Sequence, residues 1–351
     1  MKSVAIIGGG IAGTEAAARL AKLGLAVTVV EKTDRLGGRL NQWHALFPMR
    51  KPGKDLLDKL RISVAGINVI YNADVRGVER NDDGFAIHIN NNRMITANAL
   101  LLTTGFDIFD ATRKEEYGYG IYDNVITSVD LEGVFKSGKP LQTAQGKTPQ
   151  RIGFIHCVGS RDEKAGNLYC SKVCCVTAVK QAIEVKEMLP SAEVYLYYMD
   201  LRMFGRHFEE LYKEAQQKYG IQFIRARLSE AFENPDGSLQ IRIEDTLLAK
   251  PLKMTLDLIV LMVGIQPFKK SDNMIDMLGL PKDADGFLLQ EDQHVLPFGT
   301  GIPGLFCAGG ITGPKTIEET LNEARAVVSE ITRFLGDCIT FTTPERVVIG
   351  L

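Results

Sequence analysis

The sequence predicts an α/β protein built from two parallel-sheet units, one inserted into the other. Three observations carry this expectation. Residues 4–31 read as strand, glycine-rich turn, helix and strand; residues 118–266 repeat an alternation of apolar strands and helices; and an apolar strand closing on a glycine turn stands at each edge of that second stretch. A length of 351 residues is long for one domain and comfortable for two. The expected division is 1–117 for a first segment, 118–266 for the insert, and 267–351 for a second segment completing the first unit with a C-terminal tail. Hydrophobic content of 45% and charged content of 24% are ordinary for a globular protein, and a net charge of -2 gives no general attraction to nucleic acid.

The N-terminal unit begins with the apolar run Val4 to Ile7, continues through an alanine-rich periodic stretch from Ile11 to Leu23, and ends in Ala26 to Val30 followed by Glu31 and Lys32. Gly8, Gly10 and Gly13 fit G-x-G-x-x-G at the first strand–helix junction, and Ile11 and Ala12 open the helix. Gly8 permits the tight turn, Gly10 lets a pyrophosphate approach the backbone, Gly13 allows close helix–strand packing, and Glu31 can accept hydrogen bonds from ribose hydroxyls. The helix N-terminus adds amide donors and partial positive charge. With strand, helix, second strand and acid in register, this Rossmann-like unit is expected to bind a dinucleotide.

Leu36-Gly37-Gly38-Arg39 resembles the second glycine pair of two-domain flavoprotein reductases, which favours FAD over NAD. Further segments resemble the same plan. Ala99 to Leu102 with Thr103, Thr104 and Gly105 is similar to the strand and turn that close the first FAD segment, and the strand Leu256 to Val263 with Gly264-Ile265-Gln266-Pro267 is similar to the close of the inserted domain. Gly304 to Gly310 followed by a helical pattern from Thr316 and Ile317 resembles the terminal flavin motif, whose helix N-terminus would face the ring's pyrimidine edge. Most relatives carry glycine-aspartate where this chain has Gly309-Gly310, so backbone or other groups are expected to make those contacts. The fold class is therefore that of a two-domain thioredoxin-reductase-like flavoprotein.

The insert reads as a strand Ile152 to Cys157, a helix from about Ser171 to Met188, a strand Glu193 to Tyr198, a helix near His207 to Lys218 and a strand Gln222 to Arg225. Its first strand–helix turn, Cys157 to Asp162, lacks G-x-G-x-x-G, so the cradle for a nicotinamide dinucleotide is missing. Instead Cys157, Cys170, Cys174 and Cys175 cluster in HCVGSRDEKAGNLYCSKVCC. Reduced thiols at this spacing are candidate ligands for iron or zinc, with buried thiols plus a redox disulfide as the alternative. Neighbouring side chains diverge, so Cys174 and Cys175 need not both serve one site.

The whole set of motifs resembles the A-type subunits of heterodisulfide reductases, and especially the short A-type proteins of the sulfur-oxidising heterodisulfide reductase-like complex. The residues are Gly8 to Gly13, Gly37-Gly38-Arg39, Thr104-Gly105-Phe106-Asp107, Tyr117 to Gly120, Cys157 to Asp162, Tyr169-Cys170 to Cys174-Cys175, and Gly313-Pro314-Lys315. The resemblance implies FAD and a [4Fe-4S] cluster on Cys157, Cys170, Cys174 and Cys175, with Lys180 approaching flavin N5; a solvated helix lysine is the plain alternative. It also implies an oxidoreductase that relays electrons within a complex, with iron-sulfur B- and C-type subunits as partners and, indirectly, a lipoate-binding carrier protein. The competing function is a stand-alone NAD(P)H-dependent thioredoxin-reductase-like enzyme. Longer family members carry additional ferredoxin-type cysteine motifs; only Cys307 and Cys338 remain here, which favours the sulfur-oxidising branch.

Cys307 and Cys338 read as inert small hydrophobes, and the five histidines show no metal spacing. Arg202 and Arg206 are candidates for a docking surface. No apolar run reaches the eighteen or so residues needed to span a bilayer, and the chain enters a strand directly after Met1-Lys2-Ser3, so a cytoplasmic location is expected. A homodimer is the default, with the apolar tail Arg346 to Leu351 contributing.

Overall fold

The computed structural model describes residues 1–90, 92–246, 250–267 and 272–336, and the structural statements below concern these residues. Cys338 and the tail Arg346 to Leu351 lie outside them. The apolar, β-branched run Ser3–Ile7 becomes the central strand of a five-stranded parallel sheet in the order Leu305–Cys307, Ala99–Leu102, Ser3–Ile7, Ala26–Val30, Asn68–Ile70. Ile7 is level with Val30 on one side and Leu102 on the other. Both faces are covered, as an all-parallel sheet requires. Helices Ile11–Lys22 and Ile317–Leu335 bury Ala16, Ala17, Val327 and Ile331 against one face, while the hairpin layer Val75–Asn81, Gly84–Ile89 and Arg93–Ala97 sends Phe85, Ile87 and Ile89 to the other. The C-terminal helix thus returns to the sheet begun by the N-terminus.

The insert forms a seven-stranded mixed sheet in the order Val125–Thr127, Leu258–Val263, Arg151–Val158, Glu193–Tyr198, Gln222–Glu233, Leu239–Asp245, Lys250–Leu256. Helices Ser128–Ser137, Cys174–Met188 and Phe208–Gln217 cover one face through Leu131, Val179, Ile183 and Leu211. The two passages between the sheets, Phe106–Ile108 and Ile265–Pro267, pair antiparallel with Asp107 opposite Gln266.

Three expectations shift. The strand expected over 256–263 is broken at Asp257, whose carboxylate accepts hydrogen bonds from the Gln150 and Arg151 amides at 2.7 and 2.8 Å; the chain before it, Lys250–Leu256, belongs to a separate antiparallel edge strand. The strand begun at Gln222 runs on to Glu233, pairing parallel with Glu193–Tyr198 and then antiparallel with Leu239–Asp245. The helix expected from about Ser171 starts at Cys174. Lys172 is held at φ +63°, which no helix admits, and the Ser171 hydroxyl is occupied accepting from the Ile265 amide at 2.8 Å.

Candidate functional site

A cavity of about 1650 Å³ lies between the two sheets and gathers most of the motif residues onto one surface. Gly8, Gly10, Ile11, Ala12, Glu31, Lys32, Gly38, Arg39, Thr104, Gly105, Gly310, Thr316 and Ile317 all line it. Gly8 sits at φ +106°, and a Cβ there would lie 2.4 Å from the Thr103 carbonyl oxygen; at Gly13 it would lie 1.9 Å from the Gly8 carbonyl oxygen. Gly13 therefore acts behind the cavity wall, letting the helix meet the strand.

Glu31 is buried, and its carboxylate accepts from the Gly9 amide, the Thr33 amide and the Thr33 hydroxyl, each at 2.7 Å. Three of roughly four acceptor sites are thus taken by the protein itself, which fixes the carboxylate and leaves room for one further donor. Arg39 donates to the Phe106 carbonyl at 3.1 Å and pairs with Asp107 at 2.9 Å, tying the second glycine loop to the first inter-sheet passage. Burial lowers its pKa, opposed by Asp107. Lys32 stands 3.6 Å from Asp74. Thr316 caps the C-terminal helix by accepting from the Glu319 amide at 3.2 Å, so that helix points its N-terminus at the cavity. Gly309 does not line the cavity, and its amide donates to Glu323 at 2.8 Å. The Thr104 hydroxyl is buried without a partner on the cavity wall. An open backbone at the strand–helix turn, a fixed acid with spare capacity and an orphaned hydroxyl fit a dinucleotide.

Lys180 is not a solvated helix lysine: it is 2% exposed and lines the same cavity. Its ammonium donates to the Ala45 carbonyl at 3.0 Å, forms an ion pair with Glu132, and stands 3.1 Å from Glu184. Glu132 also accepts from the His44 amide at 2.7 Å and the Gln181 amide group at 2.7 Å. Burial dominates at Glu184 and raises its pKa to about 7 despite Lys180.

The four cysteines come from the end of the strand Arg151–Val158, the following loop and the first turn of Cys174–Met188. All four are free thiols; Cys157, Cys174 and Cys175 are buried and Cys170 is half-buried. The Cys174 pKa is driven well above the ordinary thiol value by Cys157, Cys175 and burial. The neighbouring Cys174 lowers Cys157 to about 7 against the effect of burial. Cys174, opposed by burial and assisted by His156 and the Arg202 amide, also brings its neighbour Cys175 down to about 4. The Arg202 amide lies 3.5 Å from the Cys175 sulfur, and the Cys170 sulfur accepts from the Lys172 amide at 3.3 Å. Three non-glycine residues here have left-handed backbones, Cys157 at φ +58°, Arg161 at +53° and Lys172 at +63°, a concentration of strain of the kind found at functional sites.

Among the described residues, no three His, Cys, Asp or Glu side chains converge as ligands of one metal ion. Zinc needs four donors converging on one centre. Four free thiols from one strand end, one loop and one helix turn are a donor set of the kind that a [4Fe-4S] cluster takes. Of the four, Cys174 lines the cavity. The turn after the strand Arg151–Val158 is filled by protein: a Cβ on Gly159 would lie 2.0 Å from the Phe109 ring, and Asn167 donates to the Gly159 carbonyl at 2.8 Å.

Sequence reasoning passed over Glu132, Glu184, Gln181 and the Ala45 carbonyl. The spacing Thr127-x-x-Asp130 was an available signal for the helix carrying Glu132, because the two residues form a reciprocal capping box. Nothing local marks Glu132 itself. Cys307 is fully buried and its pKa is pushed up to about 12 by burial, as an inert thiol requires.

Residues 1–130 match the pyridine nucleotide-disulphide oxidoreductase family model. Among solved structures, thioredoxin reductase from Lactococcus lactis superposes with a TM-score of 0.68 at 18% identity, covering 96% of this chain and 99% of that one; at this identity the likeness is one of fold. The A-type subunit of the H(2):CoB-CoM heterodisulfide,ferredoxin reductase of Methanothermobacter thermautotrophicus is 45% identical over 235 residues, 66% of this chain and 36% of that protein. The A-type iron-sulfur subunit of the CoB--CoM heterodisulfide reductase of Methanocaldococcus jannaschii is 33% identical over 94% of this chain and 64% of its own length. The chain thus spans about a third to two thirds of these relatives. On the agreement of motifs, fold and sequence, this chain belongs to the family of heterodisulfide reductase A-type subunits.

Proposed function

We propose that the chain is an FAD- and iron-sulfur-containing electron-transfer subunit of a heterodisulfide reductase-like complex, working in cytoplasmic sulfane or thiol oxidation. The observation that carries this reading is the shared cavity: Cys174 stands on the wall lined by Gly10, Thr104, Gly310, Thr316 and Lys180. The division into 1–117, 118–266 and 267–351, with the nucleotide motifs in the outer segments and the cysteines in the insert, is part of the same reading.

When bound, FAD would supply a carrier of electrons in pairs or singly, and a [4Fe-4S] cluster a carrier of single electrons. The chain's own contribution is placement. Gly8, Gly10 and the first turn of Ile11–Lys22 would present amides to the pyrophosphate, with Ile11 and Ala12 flanking it, and Glu31 would take a ribose hydroxyl. Gly38, Arg39, Thr104, Gly105, Gly310, Thr316 and Ile317 would hold the remainder of the dinucleotide. Lys180, held by Ala45, Glu132 and Glu184, would place positive charge against the ring at N5, where it favours the reduced form. Cys157, Cys170, Cys174 and Cys175 would hold the cluster beside that site. The filled turn after Arg151–Val158 supports electron delivery by partner subunits of the iron-sulfur B and C type over direct use of NAD(P)H.

Iron, acid-labile sulfide and flavin measured in anaerobically purified protein test this. Roughly four iron and four sulfide per FAD are expected. Flavin without iron, even after reconstitution, would sink the relay.

A further inference from the structure

His156 is buried to 93% of its surface, yet neither ring nitrogen has a hydrogen-bond partner. The strand carrying it explains how it came to face the cysteines. Pairing with Leu258–Val263 slips between Ile155 and Val158, so His156 and Cys157 occupy a bulge, and Cys157 is turned to φ +58°. Bulges of this kind re-aim side chains beside functional sites. The imidazole packs 6.4 Å from the Tyr198 ring, centroid to centroid, and lies against Cys175, with Cys157 and Arg161 on the neighbouring turn. On the other side the Cys175 sulfur accepts from the Arg202 amide at 3.5 Å and lies 3.7 Å from the Asp200 carbonyl oxygen. The group best placed to satisfy a donor on the ring is therefore sulfur.

We infer that His156 is a positioning residue for the cluster, donating an N–H···S hydrogen bond to the Cys175 sulfur or to cluster sulfide beside it, and thereby setting the cluster's reduction potential. This rests on the cluster reading above. Reduction adds negative charge that spreads onto the sulfurs, and a donor aimed at them stabilises the reduced form, so its presence raises the potential. Unlike the two amides at Cys170 and Cys175, this donor can be removed by substitution.

The test compares wild type, His156→Leu and His156→Gln by iron content and by a redox titration followed by electron paramagnetic resonance. Iron per flavin should be equal in all three. The midpoint potential should fall in His156→Leu and return towards wild type in His156→Gln, which keeps an N–H donor. Unchanged potential in iron-loaded His156→Leu, or an equal displacement in both variants, would overturn the role of His156 while leaving the cluster reading intact. Wild-type protein that takes up no iron would overturn both.

Discussion

Glu184 shows how one side chain can set a pH dependence for the whole fold. Its carboxyl lies beside Lys180, but burial outweighs that attraction and lifts its pKa from 4.5 to about 7. In the unfolded chain the group ionises near its ordinary value. Between those two values the folded state holds the proton that the unfolded state has released, so stability falls as pH rises from about 4.5 to about 7 and then levels off. The shift corresponds to something on the order of 3 kcal/mol. Glu184→Gln should flatten this window and raise stability at pH 8, because Lys180 keeps Glu132 and Ala45 as partners. Urea unfolding at pH 5 and pH 8 measures it, and a variant with the wild-type pH profile would place the titration elsewhere.

At the scale of elements, the helix Ile11–Lys22 depends on contact with the strand before it, and Gly13 is where the two meet. A methyl there would press on the Gly8 carbonyl at 1.9 Å and the Thr103 hydroxyl at 2.7 Å, and neither backbone nor buried threonine can withdraw freely. Gly13→Ala should push the helix N-terminus off the phosphate position and weaken FAD binding by tenfold or more, about 1.4 kcal/mol, as read by flavin retention on dilution. This element was legible because its signals are local: glycines at fixed spacing, apolar periodicity, and an acid at the end of the next strand. The edge of the insert's sheet was not. The run from Gln222 to Glu233 changes from a parallel to an antiparallel partner partway along, and a strand's partners are set by the rest of the sheet. The start of Cys174–Met188 was hidden for a similar reason, since Ser171 looks like a cap but its hydroxyl serves Ile265, 94 residues away. The cysteines were conspicuous in sequence; the acids around Lys180 were not, because Glu132 resembles any helix glutamate until Cys174–Met188 is laid across it.

Across the whole molecule, the two sheets are joined by a clasp around the cavity. Residues 44–50 of the first segment reach into the insert: the His44 amide donates to Glu132, the Ala45 carbonyl accepts from Lys180, the Phe47 ring packs 5.7 Å from Phe208, and Arg50 pairs with Glu214 at 2.9 Å. On the opposite side Lys172 pairs with Glu319, and Tyr169 meets Phe287 edge-on at 5.4 Å. The partly exposed pairs contribute little, about 0–1 kcal/mol each, so Arg50→Ala should be nearly neutral. Lys180 is different, because removing it strands two buried acids. Lys180→Met should destabilise the protein by about 3–5 kcal/mol, and Lys180→Met with Glu132→Leu should recover much of that loss, since a buried ion pair is costly chiefly when broken on one side. Flavin behaviour separates structure from function in this pair. If Lys180 serves the reduced ring, the double variant should unfold near wild-type urea concentration yet keep a lowered flavin reduction potential. Recovery of both stability and potential would make Lys180 a strut between the sheets and nothing more.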